Sequence, residues 1–285
     1  MPDAEIKQDW FGGVVFPLTR AQFFEDYFER KALYIRCNFD QTDGSLSEGD
    51  VLRLTKGDPA LAQRVEAVIS GQRIEVLKAG PSEPAHVQDV ETALENGATV
   101  RLLGVQTGLP GVKLWADRLA VEFGGSGNAN AYLTPARTPG VAAHYDTHDV
   151  LVHQVSGSKH WSVYIPVTDD QPFLPLPSET GRPIDTSKLA KQSFTLQPGE
   201  MLYIPRGAAH ATVAGDHQSV HITYGIQPVR WRDRMLDELL SLAEDDTFFR
   251  RAVRAEREAE FQKHRDRLLA RMMVSAASRS DPPNA

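Results

Sequence analysis

The chain has 285 residues, 41% of them hydrophobic and 24% charged, a formal net charge of −7 and one cysteine, Cys37. This length is enough for one sizeable core and a smaller appendage. The acidic balance argues against direct binding of nucleic acid, and a lone cysteine excludes an internal disulfide and suits a reducing compartment. The first residues lack a basic stretch followed by an apolar one, and no uncharged apolar run approaches the roughly 18 residues of a membrane span. We therefore expect a cytoplasmic protein with no signal peptide and no membrane contact.

The first part of the chain, residues 1–99, predicts a mixed α/β region that packs on the core. A stripe of aromatic residues at helical spacing covers residues 16–31, and residues 32–36 are extended. Two short helices are expected at 47–56 and 58–68, followed by a strand at 73–77 and a helix at 87–95.

The second part, residues 100–229, alternates short extended segments with breaks rich in proline and glycine. The segments at 128–133, 150–155, 160–167, 194–196, 201–204 and 220–226 predict a sandwich or barrel of antiparallel strands. The proline-rich stretch 171–187 is expected to be a loop that shapes a substrate site.

The third part, residues 230–285, has apolar residues at helical spacing as far as about residue 275, then a tail that we expect to be disordered. This helical region can pack on the body or on a second copy of the chain. A homodimer and simple intramolecular packing therefore both remain open.

The motif His144-Tyr145-Asp146 is followed by His210, 66 residues after His144. Two imidazoles and one carboxylate are the ligand set of non-haem Fe(II) oxygenases, which leaves coordination positions open for other molecules. In a strand, residues i and i+2 share a face, so His144 and Asp146 can bind one ion together. Two alternatives stay open on spacing alone: ordinary histidines beside an unrelated acid, and a three-histidine centre of His144, His148 and His210.

Lys159 alternates with Trp161, Val163 and Ile165 on one face of a predicted strand. Burying an ammonium group there is costly unless an anion meets it, so a small anionic molecule would be a suitable partner. The alternative is that Lys159 ends the strand and reaches water along its apolar stem.

A polar face runs along each of two other predicted strands, and these two strands together with the strand of Lys159 predict a polar barrel interior that can bind a ligand. Their members are Asn128, Asn130, Tyr132 and Thr134 on one strand, and Ser219, His221, Thr223 and Gly225 on the other.

Four segments, in order, resemble the JmjC-type cupin family that includes the ribosomal oxygenases. They are YLTP at 132–135, GVAAHYD at 140–146, QVSGSKHW at 154–161, and LQPGEMLYIPRG at 196–207, which runs into His210. The resemblance is strong over about residues 125–228 and weaker at YFERK, residues 27–31. It implies a mainly β protein with flanking helices, in which a double-stranded β-helix core of the cupin or jelly-roll type carries a helical C-terminal extension.

The resemblance also implies a site. Fe(II) would be bound by His144, Asp146 and His210, and 2-oxoglutarate would chelate the iron with its distal carboxylate paired to Lys159. Asn130 and Tyr132 match family positions that contact this co-substrate.

The chain departs from the family pattern at Gly225, where relatives often have a hydroxyl residue late in the last core strand. We expect Thr223 or a water molecule to substitute there, and we expect no winged-helix domain.

The activity implied is that of an Fe(II)- and 2-oxoglutarate-dependent dioxygenase, with O₂ as the other co-substrate, that hydroxylates a protein or peptide side chain. An acidic enzyme would suit a basic substrate. Two alternatives remain: demethylation of N-methyl groups by the same chemistry, and a catalytically silent JmjC-like binding or scaffold protein. The intact ligand set and Lys159 argue against the silent form.

Overall fold

Eleven strands in the described residues form two antiparallel sheets, one of eight strands and one of three. The structure is a computed structural model that describes residues 9–36, 48–55, 64–69, 72–78, 87–166 and 185–245, with residues 262, 265, 269 and 270. The strands are β1 (Leu33–Arg36), β2 (Arg64–Ile69), β3 (Gln72–Lys78), β4 (Thr99–Leu103), β5 (Gly125–Thr134), β6 (Asp149–Ser156), β7 (Lys159–Pro166), β8 (Leu189–Leu196), β9 (Glu200–Ile204), β10 (Ala209–Ala214) and β11 (Ser219–Pro228).

The order in the larger sheet is β1-β9-β6-β11-β5-β4-β2-β3, and in the smaller sheet it is β10-β7-β8. Six α-helices accompany the strands in the described ranges up to residue 245: α1 (Trp10–Val15), α2 (Arg20–Asp26), α3 (Glu48–Thr55), α4 (Val87–Glu95), α5 (Pro110–Glu122) and α6 (Trp231–Asp245). Residues 1–228 form one compact unit that contains both sheets, and residues 229–285 form a second that contains α6.

Two hydrophobic clusters stabilise the first unit. The larger one joins helical aromatic residues such as Phe11, Phe23 and Trp115 to Tyr203 of the larger sheet. The smaller one contains side chains of both sheets, including Val152 and Leu202 from the larger sheet and Trp161, Val163 and Leu196 from the smaller. Burying each large apolar side chain contributes about 1.5–3 kcal/mol, so the larger cluster holds the helices on the larger sheet and the smaller cluster holds the two sheets against each other.

The structure confirms the predicted fold class, a mainly β protein with flanking helices and antiparallel strands in two sheets. The strands expected at 128–133, 150–155, 160–167, 201–204 and 220–226 and the helix expected at 87–95 are all present, with bounds that differ by a few residues or agree.

Several local predictions were wrong or incomplete. Residues 64–68, predicted as helix, belong to β2, because this segment hydrogen-bonds to both β3 and β4. The sequence analysis also missed β10, whose alanines have little preference for strands, and the short helix α1.

The largest omission was α5, which begins with Pro110 as its first residue and buries Val112, Trp115, Ala116 and Leu119. That spacing is helical, but it lies inside a stretch that was assigned to strands as a whole.

Some predictions fall outside the described residues. They include residues 171–184 of the proline-rich loop, the helical segment that was expected from residue 247 onwards, apart from four isolated residues, and the tail. The helix predicted after residue 230 is confirmed by α6. No helix in the described part of the chain is both long and apolar enough to cross a membrane.

Candidate active site

The three predicted metal ligands lie together. One donor atom from each of His144, Asp146 and His210 lies within 4.8 Å of the other two, and Nε2 of His210 is 3.7 Å from Oδ2 of Asp146. The imidazole rings of His144 and His210 have centroids 4.4 Å apart. Two imidazoles and a carboxylate this close match the donor set of a mononuclear non-haem metal centre.

The backbone explains why these residues meet. His144 and His210 form an isolated antiparallel bridge, in which the His210 amide donates to the His144 carbonyl at 2.7 Å and the His144 amide donates to the His210 carbonyl at 3.2 Å. The prediction that His144 and Asp146 share a face of a regular strand was wrong, because Asp146 lies in the loop that precedes β6. A third bond, from the Gly207 amide to the Asp146 carbonyl at 2.9 Å, holds that loop against the turn that precedes β10.

Both histidines have one ring nitrogen occupied by the backbone. Nδ1 of His144 lies 2.7 Å from the Ala142 carbonyl, and Nδ1 of His210 lies 3.1 Å from the Ala208 carbonyl. A carbonyl oxygen only accepts, so each Nδ1 carries the proton and donates it. The lone pair of each Nε2 is therefore free for a metal ion, and the ring orientation is set by the same bond.

Electrostatics favour the protonation states that a metal needs. Burial alone would raise the pKa of Asp146, but the neighbouring imidazoles, above all that of His210, outweigh it and lower the pKa below its ordinary value. Burial lowers the pKa of His210 to about 4. At neutral pH the site therefore presents a carboxylate and an unprotonated His210, which are the forms that bind a cation.

Lys159 lies at the start of β7 and is buried, with a relative exposure of 1%. Its Nζ donates to Oγ1 of Thr134 at 2.8 Å and lies 3.4 Å from Nδ1 of His221. Within the described residues it forms no ion pair, and burial lowers its pKa to about 7. A buried amine without an acidic partner is a suitable anchor for an anion.

The same cavity contains Tyr132 and Thr223. The Tyr132 ring stacks on His221 with centroids 4.7 Å apart and planes within 6°, and burial raises the pKa of Tyr132 to about 12, so it stays a hydroxyl donor. The cavity has a volume of about 30 Å³, and the empty space is about 410 Å³ when the solvent in its open mouth is included. It is lined by Thr99, Tyr132, Val141, His144, Asp146, Val150, Lys159, Trp161, His210, Ala211, Thr212, His221 and Thr223. The candidate metal ligands and the candidate anion anchor therefore share one cavity.

Asn130 is the predicted site residue that does not line this cavity. Its Oδ1 accepts a hydrogen bond of 3.0 Å from the Gly104 amide, in the turn that follows β4. Its contact with a co-substrate stays a prediction.

His148, the alternative third histidine, is not part of the group of ligand atoms that meet around Asp146. It lies beside Gly225, where an added Cβ would be 3.2 Å from Nε2 of His148 and 2.5 Å from Oδ1 of Asn128. A side chain at position 225 would therefore displace one of these groups. The glycine at this position has a local steric reason.

Sequence reasoning missed two parts of the site. The first is Thr99, which lines the cavity and donates from Oγ1 to Oγ1 of Thr134 at 3.2 Å. Thr99 belongs to a strand that was not predicted, although the alternation of polar and apolar residues over 99–102 was an available signal. The buried contact between Asp149 and Arg206 joins positions 57 residues apart, and no local pattern indicates it.

The fold and the cluster of side chains define a class: a double-stranded β-helix protein of the cupin type with a candidate mononuclear metal centre and an adjoining cationic pocket. Residues 113–234 match the model of the JmjC domain family.

Relatives with assigned names support this placement. The bifunctional lysine-specific demethylase and histidyl-hydroxylase NO66 of Culex quinquefasciatus is 32% identical over 245 residues, covering 82% of this chain and 36% of the relative. Ribosomal oxygenase 1 of Danio rerio is 32% identical over 253 residues, covering 85% and 46%. The chain thus spans less than half the length of these two relatives.

Solved structures share the fold. The X-ray structure of Escherichia coli ycfD superposes with a TM-score of 0.55 at 16% identity, over 93% of this chain and 69% of that one. A structure of YcfD, described as a ribosomal oxygenase, in complex with cobalt and 2-oxoglutarate superposes with a TM-score of 0.53 at 15% identity, over 92% and 68%. At such identities the likeness concerns the fold alone.

Proposed function

We propose that this chain is an Fe(II)- and 2-oxoglutarate-dependent oxygenase that hydroxylates a protein or peptide side chain. The observation that carries the proposal is the convergence of His144, Asp146 and His210 in the cavity that also contains the Lys159 amine. The reaction would consume 2-oxoglutarate, O₂ and a C–H bond, and it would yield succinate, CO₂ and the corresponding alcohol.

The residues fit the iron. His144, Asp146 and His210 offer two imidazole nitrogens and one carboxylate, a set that occupies three coordination positions and leaves the others open. Bound iron would supply the activation of O₂. The protein's own contribution is to orient the ligands through the two Nδ1 bonds to carbonyl groups and to keep the carboxylate ionised.

The co-substrate would bind along the cavity towards Lys159. A distal carboxylate at Nζ would take a charge-assisted hydrogen bond, and Thr134 already orients that amine. Tyr132 and Thr223 line the same space and offer hydroxyl groups. Asn130 would have to release its bond to the Gly104 amide to join them.

The substrate that we propose is a protein or peptide, because the two relatives are named for a histidyl-hydroxylase and demethylase and for a ribosomal oxygenase. A net charge of −7 favours a basic partner and disfavours nucleic acid. We further propose a cytoplasmic location, which the single Cys37 suits, a possible homodimer through residues 230–285, and a division of the chain into residues 1–99, 100–229 and 230–285.

N-methyl demethylation is the second candidate, favoured by the demethylase named in the Culex quinquefasciatus relative. The two outcomes differ in their products: oxidation of an N-methyl carbon releases formaldehyde, whereas hydroxylation of a side chain leaves the oxygen on the substrate. A catalytically silent binding protein would yield neither.

The test is to incubate the protein with Fe(II), 2-oxoglutarate and an extract of cellular proteins that lacks this activity. Succinate and formaldehyde would be measured, and the proteins searched for a mass increase of 16 Da. Succinate together with that increase, both absent with the His210→Ala variant, supports the proposal. Formaldehyde with a loss of methyl groups supports demethylation. No turnover and no metal in the purified protein would favour the silent form.

A further inference from the structure

The two chain segments that bear the candidate ligands are joined by a polar cluster of Asp149, Tyr203 and Arg206, which are buried, and of the partly exposed Glu29. We call it the Asp149 cluster. The Asp149 carboxylate has no solvent exposure and accepts three hydrogen bonds: from Tyr203 Oη at 2.7 Å, from Arg206 Nη1 at 2.9 Å and from the Arg206 amide at 3.3 Å. The other terminal nitrogen of Arg206 binds the carboxylate of Glu29, whose amide in turn donates to Tyr203 Oη at 3.1 Å.

The position of this cluster relates it to the metal site. Asp149 follows Asp146 by three residues, and Arg206 precedes His210 by four. Backbone hydrogen bonds also join the two segments. One runs from the Gly207 amide to the Asp146 carbonyl, and two link the backbones of His144 and His210. A displacement of Arg206 relative to Asp149 would therefore change the separation of the carboxylate and imidazole ligands.

Stability alone does not account for the cluster. Taking two charges out of water costs several kcal/mol each, and replacing such a pair by well-packed hydrophobic residues of similar volume is often neutral or stabilising. Burial raises the pKa of Asp149 even though Arg206 opposes that change. Nε of Arg206 is buried without a hydrogen-bond partner among the described residues. Since stability does not explain why this buried ion pair is present, we look for another role. Fixing the positions of the adjoining candidate ligands is such a role.

We propose that Asp149 and Arg206 are positioning residues for the metal centre, which set the distance between Asp146 and His210, and that Glu29 extends this constraint to the N-terminal segment. The inference rests on the proposed function, because it assumes that His144, Asp146 and His210 bind a metal ion. Neither Asp149 nor Arg206 would touch the ion itself.

The experiment is a titration of the full chain with Co(II), the ion that is present in the YcfD complex. Calorimetry measures the affinity, and the visible absorption spectrum reports the coordination of the ion. The main variant combines Asp149→Asn with Arg206→Met. It removes both charges, keeps an acceptor for Tyr203 Oη and leaves Glu29 half-exposed, so that it can be solvated. We expect the Co(II) affinity to fall about 10- to 100-fold with an altered spectrum, while the melting temperature of the metal-free protein changes little.

The matched control is Glu122→Gln, which removes a similar charge from the ion pair of Glu122 with Arg20, far along the chain from the ligands. A double variant that folds and binds Co(II) with the affinity and spectrum of the parent would overturn this inference but not the proposed function. A parent that binds no Co(II) would overturn the proposed function as well.

If the double variant fails to fold, the same Co(II) titration is carried out on the Arg206→Lys variant. Lysine keeps the positive charge but lacks the planar fork that reaches Asp149 and Glu29 together. Weaker Co(II) binding at an unchanged melting temperature of the metal-free protein supports the inference, and unchanged Co(II) binding overturns it.

Discussion

Nζ of Lys159 lies 2.8 Å from Oγ1 of Thr134, in a cavity that also contains the candidate metal ligands. The threonine fixes the amine without neutralising it, so the charge is available to a ligand. The candidate anion anchor, Lys159, is thus a different side chain from the candidate metal ligands, and each can be substituted and tested by itself.

Replacing Lys159 by Met is expected to raise the KM for 2-oxoglutarate about 10- to 100-fold, because a hydrogen bond to a charged group contributes about 1.5–3 kcal/mol and 1.4 kcal/mol is tenfold. Metal binding should be retained. The measurement is the initial rate of succinate formation against co-substrate concentration. Lys113→Met is the control, because Lys113 is exposed and pairs with the exposed Asp117 four residues along α5. An unchanged KM for the Lys159 variant would contradict the assignment.

The binding of 2-oxoglutarate is expected to depend on pH through Lys159. Burial lowers the pKa of this amine to about 7, and a bound carboxylate would raise it by stabilising the charged form. At pH values between these two pKa values, the complex binds more protons than the free protein does. The affinity for 2-oxoglutarate should therefore fall as pH rises, by up to about tenfold per pH unit.

Calorimetry at pH 8, in two buffers that differ in ionisation enthalpy, measures this proton uptake directly. The parent should take up a fraction of a proton approaching one, and the Lys159→Met variant should take up none. Equal apparent enthalpies in both buffers for the parent would show that the amine is already charged.

Replacing Asp146 by Ala is expected to abolish the thermal stabilisation of the protein by Fe(II) or Co(II). An ion that binds only the folded state stabilises it by about 2.7 kcal/mol at one hundred times its dissociation constant, and this contribution disappears with the site. Melting temperatures with and without metal would measure the effect. His160→Ala should keep the full shift, since His160 is exposed and lies against Thr195 on the smaller sheet. A shift that survives in the Asp146 variant would place the metal elsewhere.

Replacing Gly225 by Ala is expected to destabilise the protein by about 1 kcal/mol or less, the low end of the cost of overpacking, because the exposed Asn128 side chain can move towards solvent. The Cβ of Ala would lie 2.5 Å from Oδ1 of Asn128 and 3.2 Å from Nε2 of His148, so one of these groups must move. Gly13→Ala is the control, because Gly13 lies inside α1 with nothing within 4 Å of an added Cβ, and helical Ala is favoured over Gly by about 0.5–1 kcal/mol. Urea unfolding measures both, and equal stability of the Gly225 variant and the parent would refute the steric argument.

The elements that could be predicted from the sequence are those whose pattern is local. The alternation of polar and apolar residues along β5 and β11 predicted both strands and the polar face that contains Tyr132 and Thr223. The same reasoning failed where long-range pairing overrides local preference. Residues 64–68 were predicted as helix but belong to β2, which lies between β3 and β4.

The donor types of the candidate site could be listed from the chain alone, as two histidines, one aspartate and a lysine among apolar neighbours, but their spacing left other arrangements open. Their convergence was decided by the tertiary structure, which brings His144 to His210 across 66 residues through an isolated backbone bridge that no local pattern encodes. The partners Thr134 and His221 of Lys159, and the buried contact of Asp149 with Arg206, also depend on pairing between distant strands. A chain segment specifies its own donors and acceptors, but only the packed fold determines which of them lie within 3 Å of each other.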